Sequence, residues 1–506
     1  MKKIIFYLLV VFSLTSSVYS TNYYVSNSGN DTNNGLTLNL SWATLQYAAN
    51  KVAAGDCVLV ANGTYTGFYI SASGNSGNSI VFKALGSGVT INQPNGTTND
   101  GINIEGGNWI VIEGFRVVNQ PRTGIRVVNA DHCVIRKNYC DNNSRWGILT
   151  GFAENIIIEY NECLNSQVEH GIYFSNSADN PIIRYNKCHH NNANGIHMNG
   201  DISLGGDGII TNARVEGNII YENGVAGGSG INCDGVSNSI FLNNLLYSNH
   251  ASGISLYKID GGAGSSNNKV YNNTIINASN ARWCVNINDN STGNSVYNNI
   301  LINQHPTRGS ITISTNSLSG FTSNNNILIN RMSADGDNTT ITLAAWQAKG
   351  YDSNSILAAA QTGIFVNPAN ADYHLLVSSQ AIDKGSSTVS ASVTKDLDLN
   401  PRPQGGSWDI GCYEFPQPNS TSETNQSECG VVLLPNPFSS QTIFTLTCPI
   451  QNTLIKIYSL SGQEVKRIAG VGSTSQVNRE GLEKGIYFYQ IVSENCIVTS
   501  GKLIVQ

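Results

Sequence analysis

Between Gly101 and about Asn330 the chain alternates apolar and polar residues in short runs, each starting at the same phase of a repeat. Glycine leads such a run at Gly101 (GINIEG), Gly124 (GIRVVN), Gly147 (GILTGF), Gly171 (GIYFSN), Gly195 (GIHMNG), Gly230 (GINCDG) and Gly253 (GISLYK), in steps of 23, 23, 24, 24, 35 and 23 residues. The phase continues without glycine as CVNIND from Cys284 and SITIST from Ser310. Alternation with period two is the mark of a strand, and a fixed step of this size is the mark of a solenoid, whose turns bury their apolar side only by stacking. The pattern therefore predicts a β-solenoid. A second column keeps step with the first: Asn138, Asn161, Asn186, Asn218, Asn244, Asn273, Asn299 and Asn326, each two residues before a Cys, Ile or Leu. Asparagines stacked at one bend satisfy each other's amides and the nearby backbone, which gives this column a structural role.

Phasing sorts the residues of each run. Positions one and three after the glycine point inward, as in Ile172/Phe174, Ile196/Met198, Ile231/Cys233 and Ile254/Leu256. Positions two and four point outward, and turns lie about 4.8 Å apart. Tyr173, His197, Asn199, Asn232, Asp234 and Tyr257 are thus expected to share one polar and aromatic patch, with Asp201, Lys258, Asp260 and Asp289 just past the strand ends. The long step between Gly195 and Gly230 holds an excursion around GDISLGGDGIITNAR, which brings in Asp207; insertions in repeat proteins map to loops on one face. His170, His189 and His190 fall at turns and are expected on the surface.

Composition narrows the classes. Only 12% of the 506 residues are charged, 50 are glycine, and the net charge of −6 gives no footprint for nucleic acid. Met1-Lys2-Lys3, the apolar run Ile4 to Leu14 and Val18-Tyr19-Ser20 read as a signal peptide over 1–20, too short to span a bilayer. Cys140, Cys163 and Cys188 occupy the column later filled by Ile220, Leu246 and Ile275, so they are expected to be core fillers. Cys429, Cys448 and Cys496 leave one disulfide open, its pair undetermined.

Residues 21–66 read as a cap: strand and turn in YYVSNSGNDTNNG, an amphipathic helix in SWATLQYAANKVAAGD started by Ser41 and ended at Gly55, then the buried strand CVLVANGTY. This stretch resembles the opening of pectate-lyase-like right-handed parallel β-helix proteins. The resemblance implies that fold over 67–330. Residues 331–415 read as the C-terminal cap region: 331–363 lose the period, with a short helix expected in LAAWQAKG, and 364–415 (FVNPANADYHLLVSSQAIDKG through DLDLNPRPQGGSWDIGCYEF) resemble the closing segment of secreted β-helix proteins. Residues 416–428 have linker composition. From 429 to 506, LLPNPFSSQTIFTL, IKIYSLSGQEVKRIAG, LEKGIYFYQIV and KLIVQ resemble the sorting domain of the type IX secretion pathway of Bacteroidota. That resemblance implies a small β-sandwich, a partner in the secretion machinery, and a secreted or cell-surface protein, here expected to be a monomer.

The pectate-lyase-like resemblance implies an enzyme that cleaves an acidic polysaccharide by β-elimination, with Lys or Arg as base and calcium as neutraliser of the uronate carboxylate. On that reading Lys258 is the base, Asp201, Asp207, Asp234 and Asp260 are candidates to hold calcium, and His197 and Tyr257 donate to the leaving oxygen or bind sugar. Asp234 is the strongest single candidate, because Asp is disfavoured in strands. Tyr173, Asn199 and Asn232 are candidate sugar contacts. Arg282 follows Lys258 by 24 residues but is out of phase with it, so it and Arg308 are assigned to a distal subsite. Two alternatives stand beside the lyase: a glycoside hydrolase pairing Asp234 with Asp201, Asp207 or Asp260, and a non-catalytic glycan-binding or adhesion solenoid.

Overall fold

Each glycine-led run forms a strand of one parallel sheet, and two further strands complete a coil. In the coil that starts at Gly101, the strand Ile102–Glu105 is followed by Ile110–Glu113 and Arg116–Val118, and the next coil repeats all three. Stacking these coils gives sheet I, with 11 strands from Phe68–Ile70 to Met332–Ser333, and sheets II and III, with 12 each. The structure, a computed structural model, describes residues 20–416, 431–446, 453–459, 463–470, 474–493 and 496–506. The signal segment up to residue 19, the linker from 417 onward, Cys429 and Cys448 lie outside the described residues. The chain divides into two units, 1–417 and 418–506.

The inward set predicted by phasing is the core. Ile172, Phe174, Ile196, Met198, Ile231, Cys233, Ile254 and Leu256 are all fully buried. Cys140, Cys163 and Cys188 are register partners in sheet III, buried and unbridged, and act as small apolar fillers.

At the bend between sheets II and III the asparagine column forms a continuous ladder. In each repeat the Oδ1 of one Asn accepts both the backbone N–H and the Nδ2 of its predecessor. Asn138 donates to Asn161 at 3.0 Å from each nitrogen, and the pattern runs to Asn299 on Asn326. The Nδ2 groups also reach back to carbonyls, as Asn244 does to Val215 at 3.0 Å. A second, less regular ladder follows sheet III through Asn143, Asn191, Asn223 and Asn249.

The residue before each ladder Asn is left-handed: Lys137, Tyr160, Tyr185 and Gly217 in the early coils, then Asn243, Asn272, Asn298 and Asn325. Asn tolerates that conformation, and in the late coils its amide has a further use. Asn243, Asn272, Asn298 and Asn325 donate to the carbonyls of Lys395, Asp409, Ser386 and Lys384. These contacts hold residues 364–415 against the flank of the solenoid. Ile364, Phe365, Tyr373, Leu375, Ile410 and Tyr413 pack on Leu245, Ile276, Ile300 and Ile302 of sheet III, and Val389 and Val393 pack on Leu242 and Tyr271 of sheet II. Within this strap the buried Arg402 pairs with Glu414 at 3.1 Å and donates to the carbonyls of Asp409 and Gly411.

Two expectations are thereby corrected. Residues 364–415, expected to cap the C-terminal end, form a lateral strap, and the end is closed by the short helix Leu343–Gln347 within the expected LAAWQAKG, whose Leu343 and Trp346 join the coil core. At the other end the helix is only Leu45–Ala49, and Thr44 rather than Ser41 caps it, accepting from Tyr47 N at 3.1 Å. Ser41 is buried and bonds to Ser26 at 2.7 Å. Leu45, Ala48 and Ala49 cover the first coil.

The second unit has two antiparallel sheets, of three and four strands, around Phe438, Phe444, Ile455, Ile457, Val477, Tyr489 and Leu503. Among the described residues no helix is long and apolar enough to cross a membrane.

Asn244→Ala tests the ladder. It takes from the Asn218 N–H its acceptor, and from Asn218 Nδ2 and the carbonyl of Val215 one partner each, in the interior. We expect a loss of about 2–4 kcal/mol in urea unfolding; an unchanged midpoint would contradict the structural role.

Candidate functional site

The outer face of sheet I is assembled from strands Ile172–Ser175, Ile196–Asn199, Ser229–Asp234 and Ser252–Tyr257. Their register aligns Tyr173, His197, Asn232 and Ser255 in one outward column and Ser175, Asn199, Asp234 and Tyr257 in a second. The sequence spacing therefore brings the expected patch together. It does not make every member accessible. Tyr173, His197 and Tyr257 are partly exposed, whereas Asn199, Asn232 and Asp234 are buried.

Asp234 is corrected from a catalytic or calcium-binding candidate to an organiser. Only 2% exposed, its carboxylate accepts the backbone N–H groups of Ile259, Asp260 and Gly261 at 2.9, 2.8 and 2.9 Å. The loop after Tyr257 folds back over the strand end and uses the charge as its anchor. That loop also joins the excursion of the long coil: Ile202 N donates to Asp260 O at 3.0 Å, and Gly262 N to Gly208 O at 2.7 Å.

The other aspartates separate in role. Asp201 accepts from Ser203 N and Oγ, and Asp207 accepts from Ile209 N at 2.9 Å, so both carboxylates serve their own turns. Asp260 is exposed, and its Oδ2 is 3.4 Å from Asn199 Nδ2. Among the described residues no three His, Cys, Asp or Glu side chains are arranged to hold a metal ion. Asp201, Asp207 and Asp234 are thus engaged by hydrogen bonds within the fold.

The polar groups that do converge form two short sets of hydrogen bonds. Asn199 Nδ2 also donates to the Tyr173 hydroxyl at 3.3 Å, and Asn232 Nδ2 donates to the Tyr257 hydroxyl at 2.7 Å. Each phenol oxygen acts as acceptor there, which leaves its proton free to be given outward. Burial, reinforced by the Asp234 charge, raises the Tyr257 phenol above its usual range, so it stays protonated. Lys258 is exposed, and its Nζ lies 3.5 Å from the carbonyl of Gly262. Arg282 is exposed and Arg308 pairs with Asp337 at 3.2 Å. Both precede their strands of sheet I whereas Lys258 follows its own, so they stand at the opposite rim from Lys258.

One member of the site was missed in the sequence. His170, expected on the surface, is 7% exposed and its Nε2 is 3.0 Å from His197 Nδ1. Tyr173 stacks on His197 with centroids 5.0 Å apart. His189 is likewise buried, stacked on Tyr221 at 4.6 Å. The signal for His170 lay in the column just before each glycine, Trp146, His170, Asn194, Ser229 and Ser252, every member of which is buried. Burial holds both histidines of the pair neutral: His170 lies well below the usual imidazole range, and His197 is lowered to about 3.

Comparison with known proteins agrees with this fold. Residues 23–168 match the family model described as Pel9A-like, right handed beta helix region, and residues 432–506 match the secretion system C-terminal sorting domain. The first match ends before the coils that carry the site. The crystal structure of pectate lyase Pel9A superposes with a TM-score of 0.56 at 14% identity, covering 79% of this chain and 97% of that one. A rhamnogalacturonan lyase gives 0.44 at 16%, covering 61% and 87%, and the alginate lyase from Paenibacillus sp. str. FPU-7 gives 0.35 at 18%, covering 53% and 93%. No curated protein matches the sequence. The first unit is therefore a right-handed parallel β-helix, similar in fold to the pectate lyase structure, and residues 432–506 match a C-terminal sorting domain of the type IX pathway. The sorting domain marks it for export, either released or attached at the cell surface.

Two outcomes follow. Asp234→Ala strands three backbone donors and should cost about 2–4 kcal/mol, with protease cleavage concentrated at 258–264; Asp234→Asn, keeping one acceptor oxygen, should lose less. Equal resistance of Asp234→Ala and the unaltered protein would contradict the anchoring role. The histidine pair sets a pH dependence. An unfolded histidine takes its proton near 6.5 and His197 in the fold only near 3, so the unfolded state binds more protons in between and stability falls as pH drops. From pH 7 to 5 this removes about 2 kcal/mol for His197. The urea midpoint should drop less over that interval in His197→Phe; an identical drop would contradict it.

Proposed function

We propose that this protein is an exported carbohydrate-active enzyme that cleaves a uronate-containing polysaccharide by β-elimination on the outer face of sheet I. The observation that carries the reading is the end of that face. There the Tyr257 hydroxyl, fed by Asn232 at 2.7 Å, adjoins Lys258, whose amine meets only a carbonyl among the hydrogen bonds of the described residues. Elimination requires a group to take the proton on the carbon next to the carboxylate and a group to protonate the departing glycosidic oxygen. Lys258 takes the first role and Tyr257 the second. The carbon–oxygen bond breaks as the proton leaves, and a carbon–carbon double bond remains in the product. Tyr173 and His197 provide ring surface and donors for the sugar beside them.

The carboxylates favour this reading over hydrolysis by an aspartate pair. Asp234 is committed to three backbone donors and Asp201 and Asp207 to their own turns, which leaves Asp260 without a second free aspartate among the candidates. Calcium enters as a variable of the assay, with no step assigned to it.

The test is incubation of the exported chain with pectate, alginate and glycosaminoglycans, with and without chelator. The reading expects ultraviolet absorbance from unsaturated uronate on one of these polymers. A base lysine acts only as the free amine, so the rate should climb with pH on the alkaline side. Lys258→Ala should reduce the rate by at least about a hundredfold while retention on the immobilised substrate persists. New reducing ends without that absorbance would replace elimination by hydrolysis, and retention with no product would leave binding alone.

A further inference from the structure

The contact between His170 and His197 has a direction that its neighbours determine. His170 Nδ1 faces two donors from one residue: Asn194 N at 3.3 Å and Asn194 Nδ2 at 3.2 Å. The orientation of that amide is set from its other end, because Asn194 Oδ1 accepts the backbone N–H of Ser229 in the next coil. His170 Nδ1 is therefore the unprotonated nitrogen, and its proton sits on Nε2. Nε2 has one acceptor at hydrogen-bond distance, His197 Nδ1 at 3.0 Å. Glu169 Oε2 is 3.6 Å away and is taken by the Trp146 indole at 2.8 Å, while Arg145 holds the other Glu169 oxygen. His197 Nδ1 thus accepts, and His197 carries its proton on Nε2.

That last donor has nothing to give to. His197 Nε2 is buried and without a hydrogen-bond partner. It lies on the side of the ring turned away from His170, on the outward column of sheet I. A donor withdrawn from water and left unpaired is unusual in a native interior and is relieved by an oxygen that comes to meet it. Because the ring is neutral, it offers a fixed hydrogen bond and no charge.

We propose that His170 is a positioning residue which, through the relay from Asn194, locks His197 in the Nε2–H form so that this nitrogen binds a carboxylate or hydroxyl oxygen of the bound uronate. The proposal deepens the lyase reading and rests on it for the identity of the ligand; the tautomer lock stands independently. The relay also explains why an Asn, rather than another small residue, precedes Gly195: only a side chain with one acceptor and a second donor can join Ser229 to His170.

Two-dimensional NMR of the full exported chain, labelled in its histidine ring nitrogens, tests both parts. In the unaltered protein His197 should show one tautomer, Nε2–H, at pH 7. His170→Phe removes the donor and should turn this into a mixture, and His170→Gln, whose amide can still donate, should restore much of the single pattern. Addition of oligogalacturonate, or of oligomannuronate as a second uronate, should move the His197 Nε2 resonance, and a neutral galactose oligomer of equal length should not. An Nδ1–H form in the unaltered protein, or a His170→Phe protein with an unchanged pattern, would overturn the relay whether or not uronate binds. A correct tautomer with no response to a uronate oligomer that the protein cleaves would overturn the ligand assignment and leave the lyase reading standing, whereas the absence of unsaturated product from every uronate polymer would overturn the lyase reading itself.

Discussion

Everything in the first unit depends on one constraint: a coil satisfies its own backbone and buries its own apolar side only through the coils above and below it. The asparagine ladder is where this is most exacting. Each Oδ1 accepts two donors from the preceding coil, and each Nδ2 donates to the next amide and to a carbonyl behind it. A chain of such bonds polarises along its length and admits no shift of register without breaking several at once. That fixed register is what brings Tyr173, His197, Asn232 and Tyr257, distant in sequence, onto adjacent strands.

The three faces of the solenoid are not equivalent, and the difference is built into the bend residues. Where the left-handed position is Gly, Lys or Tyr, the flank carries only its own side chains. Where it is Asn, from Asn243 onward, its amide binds the strap, and residues 364–415 pack over parts of the outer faces of sheets II and III. The strap packs on sheets II and III, and sheet I is bordered by loops of its own coils, including the excursion at 200–209 and the anchored turn at 258–264. Asp234 joins these levels: a carboxylate on a strand of the core sheet holds the turn that carries Asp260 and begins at Lys258.

Periodic features were legible in the sequence because periodicity is itself the cause of the structure. The inward set, the register of the outward columns and the first asparagine ladder all follow from counting. What counting could not supply was aperiodic. The outward phase of its strand position predicts an exposed Asp234, yet a turn of the next coil, outside the repeat, covers it. Turn residues are usually solvated, which predicts a surface His170, whereas here the turn is itself stacked and shielded by adjacent coils. The closing segment read as a cap because its apolar residues demand burial, and composition does not say against which surface. The doubled asparagines at 243–244, 272–273, 298–299 and 325–326 did carry that information, since only the second of each pair is needed for the ladder.

The account holds that the outer face of sheet I receives the sugar chain, and the most direct measurement is a crystal structure of the Lys258→Ala protein with an oligouronate that the unaltered protein degrades. The account predicts a uronate ring against Tyr173 and His197, with its glycosidic oxygen within reach of the Tyr257 hydroxyl. A chain seated on the stacked His189 and Tyr221 of sheet III, or on the far rim near Arg282 and Arg308 alone, would contradict it.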